Sequence, residues 1–251
     1  AFQGTAALEA LKKSPFINKY MEVAALKPQP INEKKQLLKN ALRFPVNDYV
    51  GQEVVYQLAL EDVSEVSDLY KKAFETNNLY VRQAIAVSLQ QIPEELKSHY
   101  ESLLEDDSYV TKEAAHYNLW MNFPEEQAEY LEKMSGIDGF IDKNIRTIWL
   151  ALNLATPEVS ATKKREYFGE LSSYTAPYQR FQVRQNAFGY LFQLEAFDGE
   201  SLYNLVEATR HHNYRFKGYA KGLLNTLLDS GGLEPAEKTL IEERLETETA
   251  N

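Results

Sequence analysis

The tripeptide Val-Arg-Gln occurs twice, in "NLYVRQAIAVSLQ" from Asn78 and in "RFQVRQNAFGYLF" from Arg180, each time leading into an apolar run. With the valine as anchor, similar starts recur at Val50, Val81, Val110, Ile145, Val183 and Phe216, at intervals of 31, 29, 35, 38 and 33 residues. Three residues before each anchor stand Asn47, Asn78, Asp107, Asp142, Arg180 and Asn213. Five of these six are Asn or Asp, whose side-chain oxygens accept from the orphan N–H groups of a first helical turn. Four residues after each anchor come Val54, Ile85, Ala114, Trp149, Ala187 and Ala220, all apolar and on the anchor's face of a helix. A cap, an anchor and a core position that return together predict a repeating helical chain.

Amphipathic segments fill the intervals. Val63, Val66, Leu69, Tyr70, Ala73 and Phe74 form one stripe, and Leu96, Tyr100, Leu103 and Leu104 the next. "IPEEL" at Ile92 and "FPEEQ" at Phe123 place Pro in a first turn, with carboxylates behind it to meet the helix dipole. Further outer helices are expected around Phe168, from Ser201 and from Glu234, with Gly231-Gly232 as a helix stop before the last. Three opening helices are expected at Thr5–Lys13, Ile17–Leu26 and Asn32–Phe44. No stretch alternates in the manner of a strand. The expected fold is all-α, an α-solenoid or α-α superhelix of HEAT- or armadillo-like helix pairs, in a single domain spanning residues 1–251.

Charge and composition narrow the function. The net charge of −10 opposes a general phosphate-backbone binder, so nucleic acid is not an expected partner. No apolar run approaches the ~18 residues of a membrane helix, and no membrane association is expected. Cys is absent, which removes thiolate metal sites and cysteine nucleophiles but leaves the compartment open. The chain begins at Ala1 without Met or leader, as expected of a mature product or a piece of a longer protein.

None of the four histidines, His99, His116, His211 and His212, is followed by Glu, so HExxH is missing. Adjacent residues on a helix point about 100° apart, so a helical His211-His212 pair would not share a face. "LLEDDSY" reads as a solvated loop, with Asp107 as a cap, and neither G-x-S-x-G nor a phosphate loop occurs. No catalytic residue and no metal ligand is assigned, and no cofactor is expected on this chain.

The residue after each anchor is Gly51, Arg82, Thr111, Arg146, Arg184 and Lys217, basic in four of six. Such cations can form an internal ladder to acids or carbonyls of the adjoining repeat, or can line a surface that holds a carboxylate or phosphate. The stretch from Ala208 to Leu228 contains no acidic residue. On charge alone, the candidate binding residues are Arg180, Arg184, Arg210, His211 and Arg215.

Four stretches carry a family resemblance: "AFQGTAALEALKKSPF" from Ala1, "GFIDKNIRTIWLALNLATP" from Gly139, "FQVRQNAFGYLFQL" from Phe181 and "YRFKGYAKGLLNTLL" from Tyr214. They resemble the C-terminal helical region of zinc aminopeptidases of the aminopeptidase N-like (gluzincin) family, notably the Bacteroidetes type. The resemblance implies a division of labour. A separate thermolysin-like domain of such enzymes carries HExxH, a downstream Glu ligand and the G-x-M-E-N segment, none of which occurs here. Zinc would belong to that parent enzyme. This chain would pack on its own catalytic domain and help wall in the peptide substrate. Two alternatives stand beside it: a free-standing HEAT-type scaffold that binds a protein or peptide partner, and a helical-repeat nucleic-acid enzyme resembling the HEAT-like DNA glycosylases, which the acidic charge opposes.

Overall fold

The computed structural model describes residues 14–43, 47–141 and 143–230, together with Pro235, Ala236, Lys238, Thr239 and Ile241. These residues are all-helical, with no strand among them. Contacts divide the chain into two compact units, Ala1–Pro124 and Glu125–Asn251, within the span read as one domain. The expected helix at Thr5–Lys13, the cap at Asp142, Phe44 and the Gly231-Gly232 stop lie outside the described residues.

The first unit contains α1 (Pro15–Ala24), α2 (Ile31–Ala41), α3 (Asp48–Leu58), α4 (Val63–Phe74), α5 (Leu79–Ser88), α6 (Glu94–Glu101) and α7 (Tyr109–Asn122), with a 3-10 turn at Ser102–Glu105. Contacts alternate along it. α1 touches α3, α3 touches α5 and α5 touches α7, while α2 touches α4 and α4 touches α6. Two layers result, and the residues between them are apolar. α3 and α4 are in contact, and Val54, Val55 and Leu58 of α3 and Val66, Leu69 and Ala73 of α4 are all fully buried. Each buried Val or Leu contributes about 2 kcal/mol relative to exposure. Some buried polar atoms are tied as well: the Tyr100 hydroxyl donates to the Ala86 carbonyl at 2.7 Å, and Asn118 Nδ2 donates to that carbonyl at 3.0 Å.

The second unit contains α8 (Gln127–Lys133), α9 (Asn144–Ala155), α10 (Ala161–Ser173), α11 (Phe181–Gln193), α12 (Gly199–Ala208) and α13 (Tyr214–Ser230). Here α9 touches α11 and α11 touches α13, with α10 against α12 in the second layer. Phe188, Leu202, Leu205, Val206, Phe216 and Ala220 form its fully buried core.

The caps follow the repeat at three of the six starts. Asn47 Oδ1 accepts from Tyr49 N and Val50 N, Asn78 Oδ1 from Tyr80 N and Val81 N, and Asn213 Oδ1 from Arg215 N and Phe216 N. Asn78 also donates from Nδ2 to Asp48 Oδ1 at 2.8 Å, so its amide caps the start of α5 and holds the first turn of α3. Arg180 caps α11 with extended backbone but no side-chain bond.

At the third start the expected register is wrong by one residue. Ser108, not Asp107, is the cap, and its Oγ accepts from Thr111 N at 3.4 Å. Thr111 and Ala115 are fully buried, while Val110 is 43% exposed. The cause is Asp106, expected to be solvated but 6% exposed. It accepts from Arg82 Nε through Oδ2 and from Ser108 N through Oδ1, and that turn sets the cap at Ser108. With Thr111 as anchor the following residue is Lys112, so five of the six starts carry a cation there.

Candidate functional site

The arginines at these basic positions each pair with an acid 23 or 24 residues on, one such rung in the first unit and two in the second. Arg82 on α5 binds Asp106, Arg146 on α9 binds Glu170 on α10, and Arg184 on α11 binds Glu207 on α12, over separations of 24, 24 and 23 residues. Arg146 is held by two bonds, Nε to Oε1 at 2.8 Å and Nη2 to Oε2 at 2.7 Å, and its guanidinium lies 4.3 Å from the Trp149 ring centroid. That hydrogen bond lowers the Glu170 carboxyl below its ordinary range and raises Arg146.

Arg184 is the most enclosed rung, at 1% exposure. Its Nε donates to the Thr175 carbonyl at 2.8 Å, and its Nη2 donates to the Asn204 carbonyl at 3.0 Å and Glu207 Oε2 at 2.6 Å. It also lies 5.3 Å from the Phe216 ring centroid. These contacts leave it tying α11 to α12 beneath the surface.

Of the other four candidate residues, Arg180 caps α11, Arg210 and His211 lie in the turn from α12 to α13, and Arg215 lies in the first turn of α13. Arg180, Arg210 and Arg215 are exposed, and His211 is half-buried. Arg215 Nε donates to the Tyr214 hydroxyl at 3.0 Å. His211 and His212 lie in a turn, not a helix, and their rings come within 4.1 Å. The helical argument against a shared face therefore does not apply to them. The His211 ring is edge-on to Phe216 at 5.0 Å, and Phe181 packs 6.1 Å away. Its Nδ1 accepts from Asn213 N at 3.1 Å. Burial, then the charges of His212 and Arg184, lower its pKa. At the surface here stand the guanidinium groups of Arg180 and Arg215, which can offer an anion hydrogen bonds.

Other features bear on chemistry. Among the described residues no three His, Cys, Asp or Glu side chains stand together as a metal site would require, and no helix is long and apolar enough to cross a membrane. A cleft of about 620 Å³ in the second unit is lined by Arg146, Trp149, Asn153, Lys163 and Tyr167, among others. Sequence reasoning missed the acids of the ladder, Asp106, Glu170 and Glu207. Their near-constant offset from the arginines was the signal that could have found them.

No protein-family model, no curated protein and no solved structure matches the chain.

Proposed function

We propose that this chain is a non-catalytic α-solenoid of HEAT-type helix pairs, serving as the C-terminal helical domain of a zinc-dependent aminopeptidase. It packs on a catalytic domain carried elsewhere in the parent protein and helps wall in the peptide substrate. The observation that carries the supporting role is the alternation of contacts within each unit, with the repeat's arginines spent on ties between its own helices. The peptidase assignment rests on the four resembling stretches. Zinc and the hydrolytic chemistry belong to the catalytic domain in this reading.

The test is direct. The purified chain should hold no stoichiometric zinc and should not hydrolyse aminoacyl-p-nitroanilides. Turnover of those substrates that a chelator abolishes would overturn the proposal. An HExxH frame upstream of Ala1 in the gene supports the peptidase, whereas a start codon immediately before Ala1 supports a second reading, the free-standing scaffold. That second reading is favoured by one observation: Tyr49, Tyr56, Tyr80 and Tyr117 stand exposed on helices of the first unit.

A further inference from the structure

Numbering each start from its anchor brings the exposed aromatics into line. One residue before the anchor stand Tyr49, Tyr80 and Val110, exposed by 71, 45 and 43%. Six residues after it stand Tyr56, Val87 and Tyr117, exposed by 47, 49 and 43%. Ten residues after it, Met121 of α7 continues the pattern at 53%. At 100° per residue these offsets fall within about 40° of one another on the helix surface. Because α3, α5 and α7 pack side by side, the three helices present them as one patch. It measures about 16 Å along the helix axes and about 20 Å across them. Patches of a few hundred Å² are about the largest that a typical monomer exposes, and they are often contact surfaces.

The repeat itself does not require these side chains. The corresponding positions of the second unit are Asn144, Gln182 and Arg215 before the anchor, and Ala151, Gly189 and Gly222 after it. No aromatic residue occurs there, although the same buried anchors do. The patch is specific to the first unit and is exposed rather than part of its packing.

Charge indicates what covers it. The ionisable residues beside the patch on these helices are Glu53 and Glu113, both half-buried. The cations of the same helices, Arg82 and Lys112, occupy the ladder position about 200° round from the first row, and Arg82 is already bound to Asp106. Tyrosine faces attract ammonium and guanidinium groups, and so do carboxylates. At the edge of the patch, α1 and α3 enclose a groove of about 470 Å³ lined by Phe16, Ile17, Tyr20, Tyr49, Glu53 and Tyr56, with no cation among the described lining residues.

We infer that this face of the first unit docks an amphipathic helical segment of a partner polypeptide, one with lysine or arginine beside its apolar stripe. A helix of about 13 residues spans the patch, with apolar side chains between the tyrosines and its cations over their rings and beside Glu53. The inference rests on the scaffold reading and names that partner's chemistry; the peptidase assignment neither needs it nor falls with it.

The probe is a fluorescein-labelled helical peptide of about 14 residues, leucines on one face and lysines flanking them, titrated with the full chain and followed by anisotropy. Saturable one-to-one binding is expected. Replacing every lysine of the peptide by glutamate should weaken it by about tenfold or more, and so should the combined substitution Tyr49→Ser, Tyr80→Ser and Tyr117→Ser in the protein. Tyr203→Ser in the second unit should change nothing. Glu53→Lys leaves the aromatics in place; it should weaken the lysine peptide and strengthen the glutamate peptide. Circular dichroism melts should match for the tyrosine variants, whose altered side chains are exposed; Glu53 is half-buried and accepts from Gln57 Nε2, so Glu53→Lys is read from the ratio of its affinities for the two peptides.

Equal affinity for both peptides refutes the charge argument while leaving a polypeptide-binding scaffold standing. Unchanged binding by the triple variant removes the patch as the site. Sedimentation showing that the triple variant dissociates a dimer of this chain overturns the inference in favour of a second copy.

Discussion

Arg146 and Glu170 lie 24 positions apart and meet through two parallel hydrogen bonds of 2.8 and 2.7 Å. The pair joins α9 to α10, and the Trp149 ring lies beneath the guanidinium. Such a fork needs a planar five-donor cation. Arg146→Met should therefore lower stability by about 2 kcal/mol, and Arg146→Lys should recover little of it, both read from urea midpoints. Because Arg146 lowers the Glu170 pKa, the pair's contribution is present above the ordinary glutamate value of 4.5 and is lost as pH falls through the lower folded value. Acid titration of the wild type against Glu170→Gln checks that sign.

Arg184 separates a structural role from a ligand-binding one. Truncation to Met leaves the buried carbonyls of Thr175 and Asn204 without their donor and Glu207 without its cation. The expected cost is about 3 kcal/mol or more in a thermal or chemical melt. Removing an exposed ligand-binding arginine would instead leave the melt within about 0.5 kcal/mol of wild type. A melt unchanged by Arg184→Met would sink the structural assignment.

His116 sits on α7 with no exposure, and neither ring nitrogen has a hydrogen-bond partner. Burial lowers its pKa from 6.5 to about 4. The unfolded chain therefore takes up a proton between those values that the folded chain refuses, and stability falls as pH drops across that window. The loss between pH 7 and pH 5 should be about 2 kcal/mol. His116→Phe should flatten this part of the profile, measured by chemical unfolding at the two pH values.

Arg180 occupies a cap position where the repeat elsewhere places asparagine. Its backbone is already extended, with φ −62° and ψ 141°, so an Asn there would need no rearrangement. Arg180→Asn should stabilise the chain by about 1 kcal/mol and raise the melting temperature by a few degrees. A drop in stability would mean that the Arg180 side chain makes a structural contribution beyond the cap.

Most of the helices were legible because their signals are short-range. The stripe of Val66, Leu69, Tyr70 and Ala73 reads as a helix face in the sequence and is fully buried in α4. The third start was not legible, since Asp106, Asp107 and Ser108 are all capping types and no neighbour within a turn distinguishes them. Arg82, 24 residues earlier, made the choice by binding Asp106. The His211-His212 ring contact was not legible for a related reason, because the His211 contacts run to Phe181 and Phe216 on two different helices.

From the sequence alone one could determine where helices begin at Asn47, Asn78 and Asn213, and which of their residues face inward. A cap closes on N–H groups two or three residues away, and a helical face repeats every few residues, so both are written in adjacent letters. Only the tertiary structure decided that Arg184 is spent on Glu207 while Tyr49, Tyr80 and Tyr117 are left bare. Burial and ion pairing depend on atoms twenty or more residues away, brought near only when the layers stack.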